Sequence, residues 1–448
     1  LRLTIAHKSS QGRSKTVDAA RLVNMYAELS EGKSNVVLHG TPGLASEATR
    51  ATVKCRGIHF MGVVRYEVVG DALYKDGTNV GLIDGTGLVD MATNGTQLVI
   101  VTNQNTGYIY TVAGGLVQIT DADFPGATSV DYLDGYFLFT EPNTGIFFIS
   151  ALNDAGDIDA LDFATAESDP DNLVRVFVDH REVWLMGEDT CEIWINTGNA
   201  SFPFERLDGA INEKGLRGKF TPTKTDNSLF WVDRDGIVRR AVDGYTPVRI
   251  STHDIEHQIA KGNLDDAEGF SYVQEGHEFY VLTVPGAGTF TYDAATQWWH
   301  ERNSQTNGVD DGRWRASGHA RKSGVHYVGD YLTGDIYTLD LDSYTENGAE
   351  QVAELLFPPI QFDGERFRVF SVRLDMEGGV GDSPQVMLQT SRDGKTWSNE
   401  VWRDFGALGD YTKRVVWRRL EMFETCHLRF RISDNAKRAV FAAYAVIG

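Results

Sequence analysis

Short apolar runs bounded by Gly, Asp and Asn recur along most of the chain, with the alternating or continuous character of strands and not the 3.6-residue period of helices. The segments 98-LVIVT-102 and 108-YIYTV-112, 136-YFLFT-140 and 146-IFFIS-150, 183-VWLM-186 and 192-EIWI-195 form three such pairs, each interrupted by a short polar turn. Asp-Gly dipeptides stand at 76–77, 84–85, 134–135, 208–209, 235–236, 243–244, 311–312, 363–364 and 393–394. Both residue types tolerate the positive φ of tight hairpin turns, so the pattern predicts a long succession of antiparallel hairpins.

From residue 56 to residue 347 the hairpins return at about the 40–50-residue spacing of propeller blades. Units are expected near 57–84, 90–120, 128–150, 174–208, 218–252, 268–304 and 313–345, some ending in an apolar or aromatic pair such as Trp298-Trp299. A propeller accounts for many short strands with few exposed edges, because each blade packs on two neighbours and the ring closes. Two stacked sandwiches are the competing arrangement. After Pro358-Pro359 the segments 366-RFRVFSVRLDME-377, 385-QVMLQTS-391, 413-KRVVWRRL-420, 427-HLRFRIS-433 and 439-AVFAAYAVI-447 alternate apolar residues with arginines. Strands with one face on a core and one in water read this way, and residues 348–448 are expected to form a separate β-sandwich. The expected organisation is therefore all-β: a β-propeller-like body over 56–347, a C-terminal β-sandwich over 348–448, and an N-terminal extended segment, 1–55, that closes the propeller or meets a partner.

One helix interrupts the pattern, in 250-ISTHDIEHQIA-260, where Ser251 precedes Asp254 by three and Ile255 and Ile259 share a face. His253 and His257 at i, i+4 could present two metal ligands, but Glu256 precedes the second histidine where H-E-x-x-H needs a glutamate directly after the first. A capped surface helix with two ordinary histidines is the better reading.

The chain has 448 residues, enough for two or three domains, and 42% hydrophobic with 23% charged residues marks it as globular. Cys55, Cys191 and Cys426 are odd in number and far apart, which argues against a disulfide framework or a zinc site and points to synthesis in a reducing cytoplasm. No secretion signal or apolar run of bilayer length is visible. The formal charge is −21, and residues 350–448 hold 14 acids and 14 bases, so the whole excess lies in 1–349. Such a body repels phosphate, and tight DNA binding is not expected.

Candidate chemistry is sparse. The turn 391-SRDGKTW-397 approaches the Asp-box of sialidase propellers but lacks one residue before its glycine and lies outside the expected propeller; a plain Asp-Gly hairpin is preferred. The stretch 153-NDAGDIDALD-162 offers carboxylates to a calcium ion, yet without the EF-hand spacing it reads as an acidic surface loop. The segment 40-GTPG-43 lacks the Lys-Ser/Thr of a phosphate loop and reads as a turn. No Gly-x-Ser-x-Gly elbow occurs. No catalytic, cofactor-binding or metal-binding residue is nominated, and the chain is expected not to be an enzyme.

The segments 22-LVNMYAE-28, 37-VLHGTPGL-44, 73-LYKDGTNVG-81, 161-LDFATAESDPD-171, 183-VWLMGEDTCEIWINTG-198, 249-RIST-252, 390-TSRDGKTWSNEVW-402, 414-RVVWRRL-420 and 429-RFRISD-434 run in order over nearly the whole chain. Together they resemble the packaged-DNA stabilisation proteins, also called tail-hub or nozzle proteins, of short-tailed phages (podoviruses). The resemblance implies a virion structural protein of the tail, made in the host cytoplasm. In that family six copies form a homo-hexamer ring below the portal and its adaptor. The ring extends the DNA channel, helps retain the genome until DNA ejection, and carries the tailspikes and a tail needle or fibre. Two alternatives from other classes are a carbohydrate-binding or glycan-processing propeller, which a glycan screen would reveal, and a receptor-binding spike, which would be a fibrous trimer.

Overall fold

Hairpin follows hairpin from Cys55 to Arg249 in the computed structural model, which describes every residue except 15–18, 33 and 363. Asp363 of the expected 363–364 turn thus lies outside the described residues. Two-residue turns with positive φ at both positions reverse the chain at Asp76-Gly77 (43° and 88°) and Asp134-Gly135 (50° and 98°), and a loop over 243–245 opens on Asp243-Gly244 (50° and 89°). Their twist matches that of the flanking strands, which is why Asp-Gly recurs there.

The strands form seven four-stranded antiparallel sheets, over 55–82, 90–118, 130–165, 173–212, 223–249, 268–302 and 316–340, the last completed by Gly43–Thr49. They are blades one to seven. The first strand of each lies innermost, and the first blade's inner strand meets those of both the second and the seventh, closing the ring. An apolar cluster fills each of the seven gaps between blades. Tyr66 and Tyr110 join blades one and two at 5.2 Å, Val99 and Val101 pack on Phe137 and Phe139 between two and three, and Phe147 meets Trp194 at 5.1 Å between three and four. Trp184 faces Trp231 at 6.1 Å, Phe230 stacks on Tyr280 at 5.4 Å, and Phe270 meets Trp314 at 5.9 Å in the next three gaps. Cys55, Ile58 and Val69 pack on Ile336 in the last. Removing one such aromatic typically costs about 3–5 kcal/mol.

The helix His253–Ile259 wedges Ile255 and Ile259 into the gap between blades five and six. Thr252, not Ser251, is its N-cap, accepting from the Ile255 amide at 3.4 Å, while the Ser251 hydroxyl donates to Glu256. The third blade runs on to Thr165, past the unit end expected at 150. Its outer strand, Asp154–Thr165, is the stretch expected to be an acidic loop; backbone pairing with Ile146–Ala151 and the inward faces of Ala155 and Ile158 make it a strand. Its interrupted register there had hidden the alternation.

The C-terminal sandwich packs two sheets around a core that includes Leu355, Val372, Trp417 and Phe430. N-terminal strands complete both. Met25–Leu29 and Val36–Gly40 precede Ala439–Ile447, Phe367–Met376 and Val415–Arg418 in one sheet; Arg21–Val23 joins Ala353–Leu356 in the other. Arg21–Val23 also pairs in parallel with the outer strand of blade six, so one ten-stranded sheet crosses from propeller to sandwich. No helix among the described residues is long and apolar enough to cross a membrane.

The chain passes from sandwich to propeller at Gly43, where an added Cβ would stand 2.5 Å from the carbonyl oxygens of both Ser343 and Thr345. Gly43→Val should therefore push the closing strand off blade seven. We expect a loss of about 3 kcal/mol or more of stability, with hydrogen exchange accelerated first over 43–49 and 335–340.

Candidate functional site: the axial cavity and the joint between the domains

The inner strands of the blades enclose a polar cavity of about 200 Å³ on the propeller axis, lined by Arg56, His59, Asp90, Arg175, Glu268 and His319 among others. Charged groups close it from the sides. Arg175 pairs with Asp90 at 2.8 Å and donates to the Lys219 carbonyl at 3.0 Å, while the Lys219 ammonium reaches the Thr128 carbonyl. Arg56 donates to the carbonyls of Gly87 (2.6 Å), Gly70 (2.9 Å) and Asp84 (2.8 Å), tying the first blade to the link that leads to the second. Glu268 takes Arg313 at 2.8 Å and the Ser317 hydroxyl at 2.7 Å. Burial pushes His59 down to about 4, His319 to about 3 and His326 to about 4, so these imidazoles stay neutral near pH 7. Each charge already has an internal partner, which makes the axis a structural plug.

At the joint, buried Asn24 holds a left-handed backbone (φ 54°) and uses its whole amide. Its Nδ2 donates to the carbonyls of Asn303 and Val352, both at 2.8 Å, and its Oδ1 accepts from the Asn303 amide (3.1 Å) and Arg302 Nε (3.3 Å). Arg302, 1% exposed, donates to the Pro42 carbonyl at 2.9 Å and to Tyr272 Oη at 3.4 Å, and lies 3.7 Å above the Trp314 indole. Gln351 also donates to Pro42, at 3.0 Å, and in turn accepts from Arg438 Nη1 at 3.0 Å. A charge ladder continues outward, with Arg21 on Glu301 (2.7 Å) and Glu354 (3.4 Å), and Glu354 on Arg431 (2.7 Å). The joint thus interlocks three stretches far apart in sequence, and a buried polar network of this kind favours one relative placement of the domains.

The segments weighed for chemistry fall in separate places. The 40–43 turn is the crossing itself, with Pro42 as acceptor for both domains. His253 is exposed and receives Arg249 at 2.8 Å, and no group of metal-ligating side chains occurs among the described residues. In the 391–397 turn Asp393 accepts from the amides of Lys395 (2.8 Å) and Thr396 (2.7 Å), which holds its carboxyl well below the usual range; this is an Asx-type turn on the sandwich. Sequence reasoning missed Asn24 and Arg302. The available signal was 298-WWHER-302, whose alternation places His300 and Arg302 on one face, both buried.

Beside Arg302, burial pushes the carboxyl of Glu346 up to about 7 against the opposing pull of Ser304, Arg302 and Trp314, whose indole donates to it at 3.0 Å. An acid raised above its unfolded value of 4.5 leaves the fold most stable below that value and costs stability as pH rises to about 7. Glu346→Gln removes this dependence. Melting curves at pH 8 should show the variant more stable by up to about 3 kcal/mol, and the advantage should vanish near pH 4. The buried histidines act oppositely: both proteins should lose stability as pH falls below 6.5, because the unfolded chain takes up their protons first.

Comparison with known proteins places these features. The family model described as "Bacteriophage P22 Gp10, beta-propeller" matches residues 11–344, and "Bacteriophage P22 Gp10, beta-sandwich" matches 353–448. The tail hub protein gp10 of Salmonella phage P22 is 24% identical over 425 residues, covering 89% of this chain and 88% of its own. Among solved structures, the computationally designed protein Ika8 aligns with a TM-score of 0.39 and 13% identity over 72% of this chain and 100% of its own. With both models matched in order along one chain, and a closed propeller continuous with its sandwich, the chain belongs to the bacteriophage P22 Gp10 family.

Proposed function

We propose that the protein is a structural subunit of a phage tail hub. It would form a homo-hexamer below the portal and adaptor, extend the DNA channel, help retain the packaged genome, and offer attachment to tailspikes and a tail needle or fibre. The observation that carries this reading is the match to the P22 tail hub protein over 89% of the chain, with both domains in the same order. The function is then assembly and not bond chemistry.

Physical features support the reading. The axial cavity, at about 200 Å³, is far too small for a duplex whose major groove alone is about 12 Å wide, and ion pairs block it. DNA would therefore run between copies, around an axis outside any one propeller, as a head-to-tail ring permits. A net charge of −21 suits a wall that lets DNA slide without gripping it. In this arrangement acidic propeller loops face the lumen and the sandwich, neutral overall, contacts other proteins.

Cross-linking mass spectrometry on purified virions tests the proposal: links from this chain to itself and to the portal–adaptor vertex are expected, and its absence from virions would refute the hub. Replacing lumen-facing Asp or Glu by Lys should slow ejection, most at low salt; an unchanged rate would count against an acidic lumen. Isolated at low salt, the protein should sediment mainly as a monomer, because like-charged subunits repel, and a stable hexamer there would show that no template is needed.

A further inference from the structure

The charge on this molecule is polarised. Residues 76–174, which contain all of blades two and three, carry fifteen carboxylates and no Lys, Arg or His. Few of these acids are neutralised from elsewhere: Asp90 takes Arg175 and Asp134 takes Arg181, whereas Asp123, Glu141, Asp157, Asp159 and Asp162 have no ion-pair partner among the described residues. On the rim of blade three the outer strand Asp154–Thr165 is an open edge whose pairing breaks between Ile158 and Phe163. There it raises Leu161, 80% exposed, beside a groove of about 270 Å³ whose apolar wall includes Pro125, Ile158, Ala160 and Phe163 and whose acids are Asp123, Glu141 and Asp159. An exposed apolar residue on an open, acid-lined edge is the form of an unfilled interface.

The opposite surface lies on the sandwich. In its first sheet Val446, Ser371 and Arg418 form one cross-strand row, and Tyr444, Arg373 and Val416 the next on the same face. Val446 is 57% exposed and neighbouring Phe370 is also exposed. The segment 413-KRVVWRR-419 lies at the sheet's far edge, and among the described residues Arg414, Arg418 and Arg419 have no ion-pair partner. The sheet begins at Met25–Leu29, where Tyr26 packs on Phe279 of blade six at 5.3 Å, so the Arg-rich strand is at the end remote from the propeller.

Ring geometry relates the two surfaces. The sandwich is fused to blade six. In a ring of seven, the blades three steps from the sixth in either direction are the second and third. The apolar and acidic rim therefore lies across the molecule from the apolar and basic sheet. Surfaces complementary in charge and both apolar at their centres, at opposite ends of one chain, cannot meet within that chain but can meet head to tail between copies.

We infer that the blade-three rim around Leu161 docks against the Arg414–Arg418 sheet face of a second copy of this chain. The contact is heterologous, one rim to one sheet face, and rests on the hub reading only for closing such contacts into a ring. It leaves the propeller loops free for the lumen.

The test uses purified full-length protein, so that its failure is distinct from absence from virions. Leu161→Cys and Val446→Cys copies, separately tagged, are mixed at high concentration with a short bis-maleimide; the native Cys55, Cys191 and Cys426 are buried and stay silent. Mixed 161–446 links should dominate over 161–161 and 446–446 links. Asp159→Lys with Asp162→Lys on the first copy should cut the mixed link about tenfold, as should Arg414→Glu with Arg418→Glu on the second. Combining the two reversed copies should restore it, with unchanged melting temperatures confirming that every variant folds. Like-with-like links in excess, no mixed link, or reversals that fail to rescue each other would overturn the inference.

Discussion

Each blade of this propeller is apolar on both faces, and neither face can be left to water. In blade three, Phe137, Phe139 and Phe148 point to blade two while Leu138, Phe147 and Ile149 point to blade four. A sheet of this kind is stable only between two neighbours, so the ring must close. Closure here depends on a strand from the other end of the domain: Gly43–Thr49 completes blade seven by pairing with Asp335–Asp340, almost three hundred residues later. That single antiparallel pairing makes every other gap between blades possible, and its long sequence separation makes it an expensive contact to form by chain entropy.

The same constraint shapes the rest of the molecule. With 43–49 committed to blade seven, the strands Arg21–Val23, Met25–Leu29 and Val36–Gly40 complete both sheets of the sandwich and bridge to blade six. Neither domain is then independent of the N-terminal stretch. Asn24, Arg302 and Gln351 hold the crossing because the Pro42 carbonyl and its neighbours are buried and must be hydrogen-bonded. This polar lock holds the propeller and the sandwich in one relative placement.

Function follows from surfaces more than from a site. Ion pairs such as Arg175–Asp90 and Glu268–Arg313 flank the axial cavity, and most of the acids concentrated in blades two and three have no ion-pair partner among the described residues. Uncompensated charge costs little in water, so the fold tolerates it; its effect appears only when copies, or DNA, come near.

Hairpin positions, the propeller class and the C-terminal sandwich were legible in the sequence, because period-two alternation and Asp-Gly turns act over a few residues. The strands 98–102, 108–112, 136–140 and 146–150 lie within a residue of where the pattern puts them. Segments were less legible where a tertiary partner overrides the local signal. The Asp154–Thr165 strand has an interrupted alternation that only its pairing with Ile146–Ala151 explains. Gly40 to Gly43 reads as a turn of no consequence until Ser343, Arg302 and Gln351 are brought against it. The net charge and its confinement to the first three-quarters were properties of the sequence alone. Which blades stand opposite the sandwich, and hence which charged faces can meet, was decided only by the closed ring, because a chain's order fixes its blades' succession but not the distance across them.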